Sequence, residues 1–322
     1  MNRFTVPARR ALLAAALCAI VPFAAAQDYP KKPVRLIVGM APGGSNDTVA
    51  RLIGAELTKT LPQPVVVENK PGANSTIATG ELKRAPADGH TLMLVISSHV
   101  TNTFLFPGLT YTLGDFAPVS LIAETPFVLV ANNKFVPNNV RELVAAAKGN
   151  KIDFGTPGSG STQHISMELM NQMAGISMTH IPYKGGAPAQ QDLLAGQIPL
   201  IFATPTQSLP FIKEQKLKPL AVTSSRRLPL LPDVPTLAES GIPGYEANVW
   251  FGIIAPAGTP APVVSMLSSE ISRIIRRPEI QKRLTDMGLT PIDGSPAQFQ
   301  KVIDEEKSKW GEVIRKSNLK LE

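Results

Sequence analysis

A short apolar run, a glycine turn and an amphipathic segment follow one another within residues 34–51. Val34–Val38 has the composition of a buried strand, and Pro42–Gly44 can turn the chain without side chains that crowd the backbone. Ser45–Asp47 can accept hydrogen bonds from the free amides at the start of a helix. Such a unit can seat an anion, because unpaired N–H groups and the helix dipole point the same way. Taken alone, the stretch fits a simple connecting turn equally well.

Turns of similar chemistry recur along the chain, each near the end of a strand-like run. They are small, hydroxylic or rich in glycine, and almost free of arginine. They span Pro42–Asp47, Ser97–Asn102, Gly155–Ser161, Tyr183–Pro188 and Ala203–Gln207. In open α/β sheets, ligands bind in the crevice beyond the carboxyl ends of the strands. Two such sheets facing one another would bring these turns together around one cleft.

Strand-like runs alternate with helical patterns, which predicts an α/β fold of mostly parallel sheets flanked by helices. Residues 118–124 and 126–132 form two runs with almost no break, as expected of a strand that passes from one sheet into another. Residues 248–255 predict the return crossing. We therefore expect a discontinuous first domain of residues 27–124 plus 248–322, a second domain of residues 125–247, and a hinge of two crossing strands.

The first 26 residues predict an export signal rather than part of the fold. Arg3, Arg9 and Arg10 precede the apolar run 11–19, and Ala24-x-Ala26 is a small-residue cleavage pattern. The apolar run is too short to span a membrane. We therefore expect a signal peptide at residues 1–26 and a soluble, periplasmic mature protein. The arginine pair leaves twin-arginine export open beside the favoured Sec route.

Charge and cysteine content narrow the classes of function. The chain has 32 Lys and Arg against 25 Asp and Glu, a net charge of +7. Without the three arginines of residues 1–26 the net charge is 29 − 25 = +4. This excess is scattered and is not interleaved with aromatic residues, which argues against a nucleic-acid partner. The single cysteine, Cys18, lies in the predicted signal peptide, so we expect neither disulfides nor thiol chemistry in the mature chain.

The patterns of common enzyme and metal sites are incomplete, so we predict no catalytic residue, no metal and no cofactor. Gly39–Gly44 has the spacing of a phosphate loop, but Ser45 stands where the lysine is required. Ser159 and Ser161 lack the flanking glycines of a nucleophile elbow. The four histidines show no metal-ligand spacing.

Three side chains in or next to the predicted turns can be interpreted either as ligand contacts or as structural groups. Asp47, near a helix start, can cap the helix or contact a ligand. His164 opens a helix beside a glycine turn and can contact a ligand, cap the helix or pack in the core. Lys184 is a candidate counter-charge for a carboxylate, or a solvated surface lysine.

A series of short motifs runs along the chain after residue 26. They are Ala41-Pro-Gly-Gly-x-x-Asp47-x-x-Ala-Arg51, Val67-Glu-Asn-Lys-Pro-Gly-Ala73, Ala87-Asp-Gly-x-Thr-Leu92, Asp115-Phe-Ala-Pro-Val119, Gly158-x-Gly-Ser-x-x-His164, Ile181-Pro-Tyr-Lys-Gly-Gly186 with Asp192-Leu-Leu-x-Gly-Gln197, and Leu231-Pro-Asp-Val-Pro-Thr236. In this order they resemble the Bug/TctC family, the extracytoplasmic solute receptors of tripartite tricarboxylate transporters.

The resemblance implies a two-domain, hinge-closing, periplasmic-binding-protein-like fold. It also implies a small carboxylate held by main-chain amides, hydroxyls and bridging water, without an arginine clamp. Carried onto this sequence, it places Gly43, Gly44 and Asp47 on one lip of the cleft and Ser159, Gly160, Ser161 and His164 on the other. With polar residues of the other turns, the predicted ligand-binding residues are Gly43, Gly44, Ser45, Asp47, Ser75, Ser97, Ser98, Ser159, Gly160, Ser161, His164, Lys184 and Thr204.

Two departures from the family pattern bear on the ligand. The family usually has an aromatic residue before the first Pro-Gly-Gly, where this chain has Ala41. It usually has Gly-Gly after Pro-Gly-Ala, where this chain has Asn74-Ser75. The first change enlarges the pocket and the second adds hydrogen-bonding groups. We therefore expect a bulkier or more polar ligand than a short amino acid.

The sequence thus predicts a periplasmic solute-binding protein, not an enzyme. Its expected ligand is a small carboxylate, which can be a dicarboxylate, a tricarboxylate, an aromatic acid or an amino acid. We expect a monomer that transiently meets the membrane subunits of a tripartite tricarboxylate-type transporter or a sensor kinase. The competing hypothesis is an exported hydrolase or isomerase on the same scaffold, which would need an activated nucleophile or an acid–base pair. A third hypothesis is a purely structural envelope protein.

Overall fold

The computed structural model describes residues 29–317, and the predicted signal peptide at residues 1–26 lies outside them. The strands are β1 (Val34–Val38), β2 (Val65–Asn69), β3 (Thr91–Ile96), β4 (Phe116–Pro126), β5 (Val128–Asn132), β6 (Asp153–Thr156), β7 (Thr179–Pro182), β8 (Leu200–Ala203), β9 (Leu217–Val222), β10 (Asn248–Pro256) and β11 (Thr290–Gly294). The α-helices are α1 (Ser45–Thr60), α2 (Thr76–Arg84), α3 (Ser98–Leu105), α4 (Val140–Gly149), α5 (Thr162–Ala174), α6 (Gly186–Ala195), α7 (Pro205–Lys213), α8 (Ala261–Ile275), α9 (Pro278–Asp286) and α10 (Pro296–Ser317).

These strands form two sheets flanked by helices. A six-stranded sheet has the order β11-β4-β10-β3-β1-β2, and a five-stranded sheet has the order β7-β6-β8-β5-β9. The six-stranded sheet takes its strands from both ends of the chain. The five-stranded sheet takes its strands from residues 128–222. The strands of the five-stranded sheet therefore interrupt those of the six-stranded sheet along the chain.

Pairing within each sheet is mixed, which differs from the expected predominance of parallel strands. β1 pairs parallel with β2 and β3, whereas β10 is antiparallel to β3 and β4. In the other sheet β6 is parallel to β7 and β8, whereas β5 is antiparallel to β8 and β9. The parallel pairs belong to strand–helix–strand units. β4, β5 and β10 adjoin the passages between the sheets, so no crossover helix constrains their direction.

The opening unit folds as its sequence predicts. β1 covers Val34–Val38 and is almost entirely buried. α1 begins at Ser45, and its side chains Val49, Ile53 and Leu57 are fully buried in the core because they share one helix face. Gly44 occupies the N-cap position, so none of the three polar residues that follow it caps the helix.

The chain passes between the sheets at two places, and Thr223 joins them. β4 ends at Pro126 and β5 begins at Val128, while Ala247 directly precedes β10. Thr223 Oγ1 accepts a hydrogen bond from the Phe127 amide at 2.7 Å and donates one to the Ala247 carbonyl at 2.5 Å. Thr223 is fully buried. This hydroxyl therefore bridges the two crossing segments.

The last helix, α10, packs its apolar face into the core of the protein. Phe299, Ile303 and Trp310 are buried, as their spacing predicts. The helix also touches α5, and Gln172 Nε2 donates to the Val313 carbonyl at 3.2 Å.

Within residues 29–317, no helix is both long enough and apolar enough to cross a bilayer.

Candidate functional site

A cleft of about 1070 Å³ lies between elements of the two sheets. Residues 39–46 and 71–74 line it from the side of the six-stranded sheet. Residues 157–159, 161–163 and 183–188 line it from the side of the five-stranded sheet. Pockets for small organic ligands commonly have volumes of roughly 300–1,000 Å³, so this cleft has room for an organic acid of moderate size.

Several helices begin at this cleft. The lining residues include Ser45 and Asn46 of α1, Thr162 and Gln163 of α5, and Gly186 of α6. The first-turn amides of a helix have no acceptor within that helix, and the helix dipole adds partial positive charge there. The converging helix starts therefore favour an anion in the cleft.

Charged side chains contribute little to the lining. Among the lining residues of the described chain, Lys184 is the only one with a formal charge, and it is exposed. The remaining polar groups are hydroxyls, side-chain amides and main-chain amides. An anion here would therefore be bound mainly by hydrogen bonds and helix dipoles, with one lysine as counter-charge.

Many of the predicted ligand-binding residues line this one cleft. Residues of the first glycine turn lie with residues of the second, although the two turns are far apart in the sequence. The predicted residues that line the cleft are Gly43, Gly44, Ser45, Ser159, Ser161, Lys184 and Thr204.

The other predicted residues lie behind the cleft wall and hold its turns in shape. They are Asp47, Ser75, Ser97, Ser98, Gly160 and His164.

Asp47 is buried and binds the protein itself. Its carboxylate accepts from the Gly43 amide at 3.0 Å, from Arg51 Nε at 2.9 Å and from Asn69 Nδ2 at 3.0 Å. Burial alone would raise the pKa of this carboxyl, but these hydrogen bonds and the Arg51 charge outweigh it and hold the pKa below its usual range. Because Asp47 occupies the Gly43 amide, that amide is not free to bind a ligand.

The three buried serines bind neighbouring backbone or adjoin a small hollow. Ser75 Oγ donates to the Gly39 carbonyl at 3.1 Å. Ser97 Oγ accepts from the Trp250 amide at 3.3 Å. Ser98 is 1% exposed and adjoins a hollow of about 10 Å³, the size of one water molecule. Ser75 thus joins its own turn to the turn after β1, and Ser97 joins the turn after β3 to strand β10.

His164 supports the second glycine turn from inside the protein. Its Nδ1 accepts from the Gly160 amide at 3.1 Å, so Nδ1 carries no proton. Its ring stacks on His180 with centroids 3.6 Å apart. Burial, with a smaller effect of His180, lowers the pKa of His164 to about 3, and burial lowers the pKa of His180 to about 4. Both rings are therefore neutral at pH 7.

Two side-chain hydrogen bonds connect opposite sides of the cleft. Ser45 Oγ lies 3.2 Å from Thr204 Oγ1. Asn74 Nδ2 donates to the Gly160 carbonyl at 2.9 Å. Both bonds join an element of the six-stranded sheet to a turn of the five-stranded sheet. The cleft is therefore closed by direct contacts at these two points.

Sequence reasoning missed several lining residues. Gln163 and Gln207 lie in or next to the predicted turns, and their polar side chains could have been included on that ground. Apolar lining residues such as Phe127 and Phe251 lie beside the crossings between the sheets. No local pattern distinguishes them from core residues.

Within residues 29–317, no group of three or more histidine, aspartate, glutamate or cysteine side chains is placed to hold a metal ion.

Comparison with known proteins places this geometry in a family. Residues 49–319 match the family described as "Tripartite tricarboxylate transporter family receptor", TctC. The chain belongs to this family. The receptor is 35% identical to Protein BugT of Bordetella pertussis over 301 residues, which cover 92% of this chain and 92% of that protein.

Two solved structures with named ligands resemble the receptor closely. One is R. palustris Rpa4515 with adipate, with a TM-score of 0.87, 33% identity, and coverage of 91% of this chain and 100% of that one. The other is MatC (Rpa3494) from Rhodopseudomonas palustris with bound malate, with a TM-score of 0.83, 35% identity, and coverage of 89% and 100%. The predicted family and the periplasmic-binding-protein-like fold are confirmed. Members of this family are solute-binding receptors.

Proposed function

We propose that this receptor captures a small carboxylate in the cleft between its sheets and catalyses no reaction on it. The observation that carries this proposal is the convergence of helix starts on a cleft whose formal charge comes from Lys184. A carboxylate matches such a site because its oxygens accept several hydrogen bonds at once. The similarity to structures named with adipate and malate supports the same class of ligand.

Binding would close the cleft. We propose that residues 27–124 with 248–322 form one domain, that residues 125–247 form the other, and that they move about the crossings beside Thr223. The amides of Gly44 and Ser45 would contact the carboxylate from one side, and Ser159 and Ser161 from the other. Closure then requires that the ligand bind the closed state more tightly than the open one.

Residues behind the wall would act through the turns that they hold. Asp47, Gly160 and His164 would fix the two glycine turns, and Ser75, Ser97 and Ser98 would fix the neighbouring ones.

Ala41 leaves room in the lining, and Asn74 adds a polar group to it. We therefore propose a ligand that is bulkier or more polar than a short amino acid.

We propose that the receptor works in the periplasm as a monomer, after export with a cleaved signal peptide at residues 1–26. The closed receptor would present the ligand to the membrane subunits of a tripartite tricarboxylate-type transporter, or would report it to a sensor kinase.

A thermal-shift panel of carboxylic acids tests the proposal. The purified receptor would be heated with malate, succinate, adipate, citrate, benzoate and glutamate. An acid at 100 times its Kd should raise the Tm by roughly 4–8 °C, because binding to the folded state alone adds about 2.7 kcal/mol. The acid should be recovered chemically unchanged after long incubation. Conversion of the acid, or no shift with any acid of a wider panel, would refute the proposal.

A further inference from the structure

The cleft contains a side-chain amide whose donor group pairs with no acceptor among residues 29–317. We propose that Gln207 donates a hydrogen bond from its Nε2 to a carboxylate of the ligand, and that Ser45 and Thr204 orient it. This inference rests on the proposed function and names a binding residue for it. Gln207 lines the cleft from the first turn of α7.

The direction of the hydrogen bonds follows from what each atom can do. Thr204 Oγ1 donates to Gln207 Oε1 at 3.3 Å, because a carbonyl oxygen can only accept. Thr204 has one hydroxyl hydrogen, so in its 3.2 Å contact with Ser45 it accepts and Ser45 donates. Both hydroxyl hydrogens are therefore used inside the protein. The donor left over at the end of this chain of bonds is Gln207 Nε2.

Gln207 Nε2 is accessible from the cleft. Within residues 29–317 no acceptor pairs with it, and it is not among the enclosed polar atoms that lack a partner. Gln207 Nε2 lies next to the start of α6, because a Cβ added to Gly186 would be 2.5 Å from this nitrogen. Gly186, Gln207 and Lys184 line the same cleft. A bare glycine thus lets the amide approach a helix start that itself favours an anion.

Closure and orientation are linked by the same bonds. Ser45 belongs to α1 on one side of the cleft, and Thr204 precedes α7 on the other. Their contact exists only when these two sides meet. The closed cleft therefore fixes Thr204, and Thr204 fixes the Gln207 amide with its nitrogen available to the ligand.

Two substitutions at Gln207 separate a binding role from a packing role. The acid with the largest wild-type shift in the panel above would be titrated by calorimetry at pH 7. Gln207→Met keeps the size and loses the donor, so the Kd should rise about tenfold or more. Gln207→Glu keeps the shape but presents a carboxylate to a carboxylate, so the Kd should rise about 100-fold or more. A packing role would predict the opposite order, because glutamate is the closer isostere.

The orienting role is tested at Thr204 and Gly186. Thr204→Val breaks the chain of bonds and Thr204→Ser keeps it, so only the valine variant should lose about fivefold in affinity. In a Gln207→Met background the loss caused by Thr204→Val should be smaller, because methionine has no amide for Thr204 to orient. Gly186→Ala should displace the amide and weaken binding, with the ligand-free Tm unchanged or higher because alanine favours the helix.

The outcomes distinguish this inference from the proposed function. A wild-type receptor that binds no acid would overturn both. Tight wild-type binding with Gln207→Glu equal to wild type would overturn only the Gln207 assignment. Equal losses for Thr204→Val with and without Gln207→Met would remove Thr204 from the orienting role.

Discussion

Asn74 Nδ2 donates a hydrogen bond of 2.9 Å to the Gly160 carbonyl on the opposite side of the cleft. The same nitrogen donates to Asn102 Oδ1 at 2.8 Å, and Asn102 Nδ2 donates back to the Asn74 carbonyl at 2.8 Å. Asn102 thus holds Asn74 in place from its own side. Asn74 also has a left-handed backbone, with φ 50° and ψ 43°, a conformation that asparagine tolerates better than most residues.

Replacing Asn74 should speed ligand release. Asn74→Gly and Asn74→Ala both remove the bond to Gly160, and the dissociation rate of the acid identified above should rise about fivefold while association changes little. Glycine fits the left-handed backbone and alanine does not, so the alanine variant should be less stable by about 1 kcal/mol. Stopped-flow kinetics and ligand-free thermal melts measure the two effects. Unchanged dissociation in both variants would show that the bond does not hold the cleft closed.

The stacked pair His164 and His180 should make the receptor sensitive to acid. Both pKa values in the folded state, about 3 and about 4, lie below the ordinary value of 6.5. Between pH 6.5 and about 4 the unfolded chain therefore binds more protons than the folded one. Folding stability should fall as the pH is lowered through this window, by up to about 1.4 kcal/mol per pH unit for each histidine.

His164→Asn provides the comparison for this pH effect. Its side-chain oxygen can accept from the Gly160 amide in place of Nδ1 but does not titrate. The variant should lose less stability between pH 7 and pH 4.5 than the wild type, as measured by chemical denaturation at each pH. His99, whose pKa burial lowers to about 4, is present in both proteins and cancels in the difference. Parallel pH profiles would exclude His164 as a source of acid sensitivity.

Thr223→Val should weaken the junction between the sheets. Valine has nearly the same shape but leaves the Phe127 amide and the Ala247 carbonyl without the hydroxyl that pairs with them. A buried group without its partner costs about 1–3 kcal/mol, so the free energy of unfolding should fall by at least that amount. Thr290→Val, at an exposed strand position, is the control and should change little. A Thr223→Val variant as stable as the control would show that the junction does not depend on this hydroxyl.

Gly252→Ala should destabilise the six-stranded sheet. A Cβ at Gly252 would lie 2.2–2.9 Å from ring atoms of Phe299, which is fully buried and cannot move aside freely. Overpacking of this kind typically costs about 1–3 kcal/mol, visible in urea denaturation. Gly108→Ala is the matched control, since nothing lies within 4 Å of its added methyl group. If the two variants unfold at the same urea concentration, the packing around Phe299 is looser than described.

Local chemistry was enough to place the turns of the cleft. Glycine and hydroxyl residues after β1 and β6 favour a tight turn followed by a helix start. Both preferences depend only on residues that are neighbours in the sequence, so they can be predicted from it. Strand and helix positions such as Val34–Val38 follow from apolar periodicity in the same way. The family resemblance rested partly on the same turns.

Properties that depend on the whole fold could not be predicted in this way. Asp47 carries a charge suited to a ligand, yet it pairs with Arg51 and with Asn69 of the neighbouring strand, and only the folded chain brings Asn69 to it. Gln207 accepts from Thr204, and Thr204 contacts Ser45, a residue that is distant in the sequence and lies on the opposite side of the cleft. The antiparallel pairing of β10 departs from the expected mostly parallel sheet, because strand direction depends on the route between the sheets rather than on composition.

The position of β10 has a consequence for the order in which the chain can assemble. β10 lies between β3 and β4, and β11 forms the edge beyond β4. Until Asn248–Pro256 has been synthesised and has paired as β10, β4 is not joined to the β3-β1-β2 part of the six-stranded sheet. The five-stranded sheet has all its strands by Val222. A chain that emerges from its amino end would complete the five-stranded sheet first, and the binding cleft could form only after β10 has joined the six-stranded sheet.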